Sequence, residues 1–453
     1  MITQPEPLPD PLRDERLARV SEALGPRDVM VLPGAPHRLR SRDTEYPHRP
    51  DSELYWVTGL TEPDAVVVIR GGDEPVPALF MHPRDPEAEL WAGARPDPEE
   101  TGRTLGAAAV HGLGELHDLL PGILDGADTV YFRLGSHPDV EPAVVAALRR
   151  ARRRGPRRGT GPRGVVDPGE ILDELRLRKD PWEVAQIRRA VAVTLQAFRE
   201  MADALRPGVP EWELQAVLEG CFRRLGSAGP AYETIVGTGA NACTLHYVRN
   251  DRVAGPGEMV LVDAGATWGL YAADVTRTWP VDGTWTPDQR ELVGVVDAAR
   301  GAAVERVAPG VTVAEVHDTA VRVLTEGLVG LGVLAGSVDE LVEEEAYRPF
   351  FPHQTSHWLG LDVHDPGDYA RDGRSRVLEP GMVLTIEPGL YLPGVAVAGH
   401  PGAAPFRDMG VRLEDDVLVT PDGHENLTAA LATGPDAVEG ELGAPGARRS
   451  ASP

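Results

Sequence analysis

The sequence predicts an α/β domain followed by an α+β domain built from two similar halves, with a short unstructured tail behind them. Three observations carry this reading. Short apolar runs alternate with helical segments over residues 15–160. A helix-helix-strand-strand pattern then occurs twice over 175–430. Within that second region, four acids and a histidine sit in or beside apolar runs, where an unpaired charge is costly to bury.

In the first domain, 65–69 and 78–81 read as strands bounded by turn residues, and 129–132 as another. Residues 87–91 and 113–120 read as short helices. Residues 1–14 are Pro-rich and polar and are expected to form a poorly ordered lead-in. The Arg-rich stretch 148–163 is broken by Gly and Pro. Because the whole chain is acidic, it is expected to be a solvated helix end and interdomain linker rather than a phosphate or nucleic-acid patch.

The second domain opens on Asp180-Pro-Trp-Glu183, where Asp180 caps, Pro181 takes the first helical position and Glu183 returns a capping-box bond. Val184, Ile187, Val191, Phe198 and Leu205 then fall at helical spacing up to Pro207-Gly208. A second helix is expected to start at Val209-Pro-Glu-Trp-Glu-Leu and to end near Leu225-Gly226. The pattern returns at Thr286-Pro-Asp-Gln289, with a helix to Ala308-Pro309 and another ending near Leu331. Strands are expected at 258–263 and 271–279 after the first helix pair, and at 382–387 and 411–419 after the second. Aligned on Met259 and Met382, Asp263 falls one residue short of the Glu387 position, so exact twofold symmetry requires a bulge. Residues 431–453 are poor in large apolar side chains and are expected to be a disordered tail.

The net charge of -25 argues against general nucleic-acid binding. The two cysteines, Cys221 and Cys243, have no metal-ligand spacing and cannot make a disulfide framework, which fits a reducing compartment. No secretory signal and no apolar run of the ~18 residues a membrane span needs is visible. The expectation is a cytoplasmic protein.

The acids carry the chemistry. A two-residue turn at Trp268-Gly269 would set Asp263 directly opposite Asp274. Opposed residues of an antiparallel pair have Cβ atoms roughly 4.5–5.5 Å apart. Two carboxylates that close repel or share a proton unless a cation lies between them. Glu387 and Glu414 sit in comparable runs. Glu414 opens an acidic run with Asp415 and Asp416, which could equally be a solvated face, and strand alternation puts Glu414 and Asp416 on one side. A lone histidine in an apolar run is more often a core residue than a ligand, but His357 is accompanied by His246, His353 and His364.

Five motifs in order then resemble the proline-specific aminopeptidases (Xaa-Pro aminopeptidase, or aminopeptidase P) of the pita-bread metallopeptidases. They are Val-Asp-Ala-Gly-Ala at 262–266, Ala-Asp-Val-Thr-Arg-Thr at 273–278, Ser-His-Trp-Leu-Gly-Leu-Asp-Val-His-Asp at 356–365, Thr-Ile-Glu-Pro-Gly-Leu-Tyr at 385–391 and Gly-Val-Arg-Leu-Glu-Asp at 410–415. Residues 49–64 are similar to that family's N-terminal domain. The resemblance implies a pita-bread catalytic domain with a pseudo-twofold repeat, and two divalent cations, usually Mn2+. Asp263 would bind one, His357 and Glu387 the other, and Asp274 and Glu414 both, with a hydroxide held between them for attack on the scissile carbonyl. It gives His246 and His364 substrate contact and transition-state support. His353 would line the site, Glu387 would shuttle the proton, and Arg412 and Tyr391 would lie close by. It also implies peptide substrates with proline in second position and a homodimer or homotetramer, in which Trp91 either walls a neighbour's site or packs on its own helix. One departure is visible: where the family often has Gly after the first histidine of His353-Gln-Thr-Ser-His357, this chain has Gln354.

Four other readings compete. A prolidase cleaving only Xaa-Pro dipeptides shares the fold and the metals. A methionine aminopeptidase lacks the long first domain. A pita-bread binding module without catalysis lacks the ligand set that is present here. A dinucleotide site at Val236-Gly-Thr-Gly-Ala-Asn-Ala242 lacks its third glycine.

Overall fold

The computed structural model describes residues 6–72, 77–158 and 162–443. They divide into two compact units, one of residues 7–176 and one beginning at Leu177.

The first unit is a six-stranded mixed sheet. Its order is Ala109–Gly112, Ala78–Met81, Val66–Arg70, Val29–Pro33, Thr129–Tyr131 and Gly164–Val166. Val66–Arg70 runs antiparallel to both neighbours, and the remaining pairs are parallel. Alternate residues Val29, Val31, Val66 and Val68 meet Leu116, Leu120, Val144 and Ala147 from two covering helices.

Two expectations for this unit change. The lead-in already contains the helix Asp10–Ala23, in which Leu17 and Val20 are buried and Arg13 is ion-paired to Asp10 and Asp14. Residues 1–5 of that lead-in lie outside the described residues. The Arg-rich stretch is a solvated helix end, as expected, but not the interdomain linker, because the boundary between the units falls at Arg176–Leu177. The helix Glu141–Arg158 runs through most of it, burying Val144, Ala147 and Ala151 at helical spacing while Arg149, Arg150, Arg152 and Arg153 stay exposed. An apolar stripe on one face was enough to continue the helix past the charges. Residues 159–161 lie outside the described residues, and Gly164–Val166 beyond them adds a strand to the sheet.

The second unit repeats one plan. Helices Pro181–Ala204 and Glu211–Arg224 precede a sheet ordered Thr276–Pro280, Met259–Asp263, Ile235–Thr238. Helices Pro287–Arg306 and Val313–Gly330 precede a sheet ordered Val383–Ile386, Asp415–Thr420, Gly423–Asn426. Asp180 with Glu183 and Thr286 with Gln289 form the capping boxes that start the long helices. The halves differ in where the third strand joins: beside Met259–Asp263 in one, beside Asp415–Thr420 in the other. Asp263 closes its strand, whereas Glu387 is the first residue past Ile386, so the one-residue offset is taken up at a strand end rather than by a bulge.

The long second strands are interrupted. The 271–279 run splits into Tyr271–Ala272 and Thr276–Pro280, with Asp274 in the gap. The 411–419 run splits into Gly410–Arg412 and Asp415–Thr420, with Glu414 in the gap. Asp263 therefore pairs with Thr276, not with Asp274. The turn lies one position later than expected, at Gly269-Leu270, where both residues have positive φ of 56° and 72°. Such a turn follows the right-handed twist of the strands, and Leu270 accepts the left-handed conformation to make it. A shift of two in pairing preserves the face, so Asp274 stays on the side of Asp263 as its diagonal neighbour.

The tail expected from 431 carries the helix Pro435–Gly443, with Val438 and Leu442 buried. Trp285 holds it: its indole Nε1 donates to Pro435 O at 3.1 Å and its backbone N to Glu439 Oε1 at 2.9 Å. Two apolar anchors four residues apart sufficed. Residues 444–453 lie outside the described residues.

Candidate metal centre

A cavity of about 600 Å³ opens in the second unit. It is lined by Asp263, Asp274, Glu387 and Glu414, by His246, His353, His357 and His364, and by Arg412. They come from five separate stretches of the chain, around residues 246, 263–274, 353–364, 387 and 412–414.

Two strands and two strand gaps aim the acids at one point. Asp263 accepts from Arg412 Nη2 at 2.6 Å, and Glu414 Oε2 accepts from Thr276 Oγ1 at 2.7 Å. The Asp274 backbone N donates to Asp416 Oδ2 at 3.2 Å. The acidic run at 414–416 is buried throughout, at 2%, 0% and 0% exposure, so it is no solvated face. As alternation requires, Glu414 and Asp416 turn toward Asp274, and Asp415 turns the other way. There it is clamped by Arg277 at 2.7 Å and Arg300 at 2.5 Å, whose charges outweigh burial and hold its carboxyl down at about 2.

His357 stands among the acids, its Nε2 3.3 Å from Asp274 Oδ2, 3.6 Å from Glu387 Oε1 and 3.9 Å from Glu414 Oε1. Its Nδ1 lies 3.1 Å from the Trp358 carbonyl. A proton on Nδ1 is held there, leaving Nε2 to face the carboxylates. Burial alone would lower this imidazole, but the bond to Asp274 and the charge of Glu387 raise it to about 9. With no cation, His357 is a charge partner for the acids.

Burial raises Asp263 against the pull of Arg412. Burial, then Asp274 and Glu387, push Glu414 well up. Burial brings Glu387 to about 7 despite His357 and Arg412. Groups of this kind crowd into one cavity only if protons or cations offset their charge. The Tyr232 hydroxyl lies 2.6 Å from Asp263 Oδ1 and 2.5 Å from Asp274 Oδ1. It owns one proton, so the other contact requires either a proton on one of the two carboxyls or a cation beside them. Ligand atoms of Asp274, His357 and Glu414 all lie within 4.8 Å of one another, close enough to share an ion. An oxygen-rich set with one imidazole fits a hard or borderline divalent cation.

The remaining histidines ring this centre. His353 Nδ1 is 2.8 Å from Gln354 O and its Nε2 2.9 Å from the Tyr391 hydroxyl, while Arg412 Nη1 donates to that hydroxyl at 3.0 Å. The donors are thereby ordered: Arg412 to Tyr391, Tyr391 to His353, His353 to the backbone. Burial and Arg412 push His353 down to about 4, so it is neutral. The His364 ring sits 4.3 Å from that of His357, at the mouth, beside the buried pair of Lys179 Nζ and Asp365 Oδ2 at 3.0 Å. His246 is exposed on the cavity rim.

Tyr232 and Thr276 were not expected from sequence. Thr276 lay two residues from Asp274, and strand alternation could have found it. Tyr232 lies 31 residues before Asp263 in an irregular loop, and no spacing marks it.

Comparison with known proteins follows the geometry. Residues 185–421 match metallopeptidase family M24, and residues 14–131 match the aminopeptidase P N-terminal domain. The Xaa-Pro aminopeptidase of Escherichia coli K12 is 40% identical over 421 residues, 92% of this chain and 94% of the relative. The chain belongs to metallopeptidase family M24. Among solved members of the M24 fold, Zn-substituted E. coli aminopeptidase P in complex with product superposes with a TM-score of 0.92 at 39% identity, covering 98% of this chain and all of that one. Pseudomonas aeruginosa aminopeptidase PepP gives 0.91 at 39%, covering 98% and 99%. The pita-bread architecture is therefore that of this chain, and as an M24 member it is a hydrolase. No helix among the described residues is long and apolar enough to cross a membrane.

Proposed function

We propose that this M24 chain is a metal-dependent aminopeptidase releasing the N-terminal residue from peptides with proline in second position. The observation that carries this is the convergence of His357 and four acids on one cavity, in a chain 40% identical to an Xaa-Pro aminopeptidase. In this reading Asp263, Asp274, His357, Glu387 and Glu414 hold two divalent cations, Mn2+ by preference, since the donors are mainly oxygen. When bound, such cations supply Lewis-acid polarisation of the scissile carbonyl and an activated water.

The chain's own groups do the rest. Glu387, at the edge of the acid cluster and facing the cavity, can take a proton from the attacking water and return it to the leaving proline nitrogen. That nitrogen carries no N–H in the peptide, so a general exopeptidase that relies on a donor there loses it. His246 and His364, both exposed on the cavity rim, contact the substrate and support the carbonyl oxygen as charge develops. His353, neutral and already committed to Gln354 O and Tyr391, walls the proline side without exchanging protons. Arg412 fixes Asp263 and, through Tyr391, that wall.

A cytoplasmic homodimer or homotetramer completes the reading. Leu90 and Trp91 are 81% and 86% exposed, so Trp91 is not packed on its own helix and is available to a second copy. The test is release of free Xaa from Xaa-Pro-Xaa tripeptides against Xaa-Pro dipeptides, with metal content measured on the same sample. Tripeptide cleavage that tracks Mn2+ occupancy is expected. An ion-free chain that releases nothing after Mn2+ is restored would make this fold a binding module.

A further inference from the structure

Asp274 and Glu414 both sit in gaps between strands, where no ladder fixes the backbone. In the metal-binding reading above they are the ligands shared by both cations, so the distance between them sets the room for the pair. The group that fixes this distance lies behind the site, in Arg277 of the strand Thr276–Pro280.

Arg277 is 1% exposed and does not line the catalytic cavity. Its Nη1 donates to the Thr276 carbonyl at 2.9 Å and to the Glu414 carbonyl at 2.5 Å. Its Nη2 donates to Asp415 Oδ1 at 2.7 Å and to the Leu431 carbonyl at 3.3 Å. Glu414 N in turn donates to Thr276 O at 3.0 Å. The N–H and the C=O of Glu414 are thus both held by Thr276 and Arg277, which belong to the other half of the repeat and follow Asp274 by two and three residues. One charged fork joins the two strands that present the shared ligands.

Neutralising Asp415 does not by itself call for this arrangement. Arg300 Nη1 already pairs with Asp415 Oδ2 at 2.5 Å, and Thr428 Oγ1 and Asn426 Nδ2 donate to the same carboxylate, each at 2.8 Å. Three of the four Arg277 bonds go instead to backbone carbonyls. Bonds from an ionised donor are shorter and stronger than neutral ones, and here they hold the backbone of a ligand and leave its carboxylate free. Asp274 and Glu414 repel each other when ionised, which drives the two strands apart, and the guanidinium spans the seam where they would separate.

On the metal-binding reading, we propose that Arg277 is a positioning residue. It presets the separation of Asp274 and Glu414 and so raises the affinity for divalent cations, while touching neither cation nor substrate. Supports of this kind, one layer behind the ligands, are worth about 10–100-fold in metal affinity.

The experiment measures Mn2+ affinity of the full chain by competition with a fluorescent chelator, beside the Tm of the same ion-free sample. Arg277→Lys keeps a charge near Asp415, but an ammonium cannot copy the fork that reaches Glu414 O and Leu431 O together. Its Kd for Mn2+ is expected to rise about 10–100-fold. Arg300→Lys weakens the clamp on the same carboxylate from a side that meets neither strand gap, and is expected to lower Tm with Kd as in the wild type. Should Arg277→Lys not fold, Asp415→Asn loosens the same guanidinium without removing it and is expected to raise Kd in the same direction. An unchanged Kd in the folded variant, or an equal rise in Arg300→Lys, overturns the positioning role and leaves the metal site intact. A wild-type chain that binds no Mn2+ overturns the metal-binding reading itself.

Discussion

Arg412 and Asp263 form a buried ion pair at 2.6 Å, with the guanidinium also held by Thr276 at 3.1 Å and Tyr391 at 3.0 Å. A planar fork reaching three acceptors cannot be copied by an ammonium group. Arg412→Lys should keep the charge near Asp263 but release Tyr391 and with it His353. A fall in kcat/KM of about 10²-fold is expected, the scale of small misplacements at a reacting centre. Steady-state kinetics on a tripeptide check this; near-wild-type values would mean the fork only fills space.

Asp274→Asn and Glu387→Ala should each lose peptide hydrolysis while the chain still folds. For Glu387 the proton shuttle alone accounts for about 10²–10⁴-fold. The informative comparison is circular dichroism beside activity: a folded, inactive variant is the expected result, and a folded variant with ordinary activity would remove the residue from the mechanism.

Chelation should reveal the charge stored in the site. In cation-free protein Glu387 is raised from 4.5 to about 7. A carboxyl raised on folding leaves stability whole below about 4.5 and erodes it as pH climbs to about 7. His357, raised from 6.5 to about 9, acts in the same direction: its contribution is complete below about 6.5 and is lost on the way to about 9. His353, lowered from 6.5 to about 4, works the opposite way below 6.5 and offsets Glu387 there. The Tm of chelated protein should thus fall between about pH 6.5 and pH 8.5, and added Mn2+ should raise it most at the alkaline end. A Tm that rises with pH over this range in EDTA would contradict the charge balance described here.

Much of this was legible in the chain itself, for reasons that differ by residue. Asp180, Glu183, Thr286 and Gln289 carry their structural meaning in local spacing, so the helix starts were clear. The acids stood out because a charge inside an apolar run is rarely idle. Register was harder. The turn sits at Gly269-Leu270 because Leu270 accepts a positive φ, which no residue preference announces. The strand gaps at Asp274 and Glu414 depend on contacts between the halves, among them Glu414 N donating to Thr276 O at 3.0 Å. Tyr232 has no motif at all.

Lys179 and Asp365 supply a further prediction. Their side chains are 1% and 2% exposed, and Asp365 follows His364 directly. Lys179→Met should remove the ammonium that neutralises a buried carboxylate, which keeps the Asp362 N–H at 3.1 Å, and cost about 3–5 kcal/mol in denaturant unfolding. In the loaded enzyme it should also lower kcat by loosening His364. A loss below about 1 kcal/mol would show that the pair is no stronger than a surface one.

The acids occupy the ends and gaps of strands rather than their middles, so the ladders neither depend on them nor are weakened by replacing them. Scaffold and chemistry are thereby written in separate residues. A lineage carrying this architecture could shed its acids one by one, keep its shape, and inherit a ready-made cleft for gripping peptides it no longer cuts.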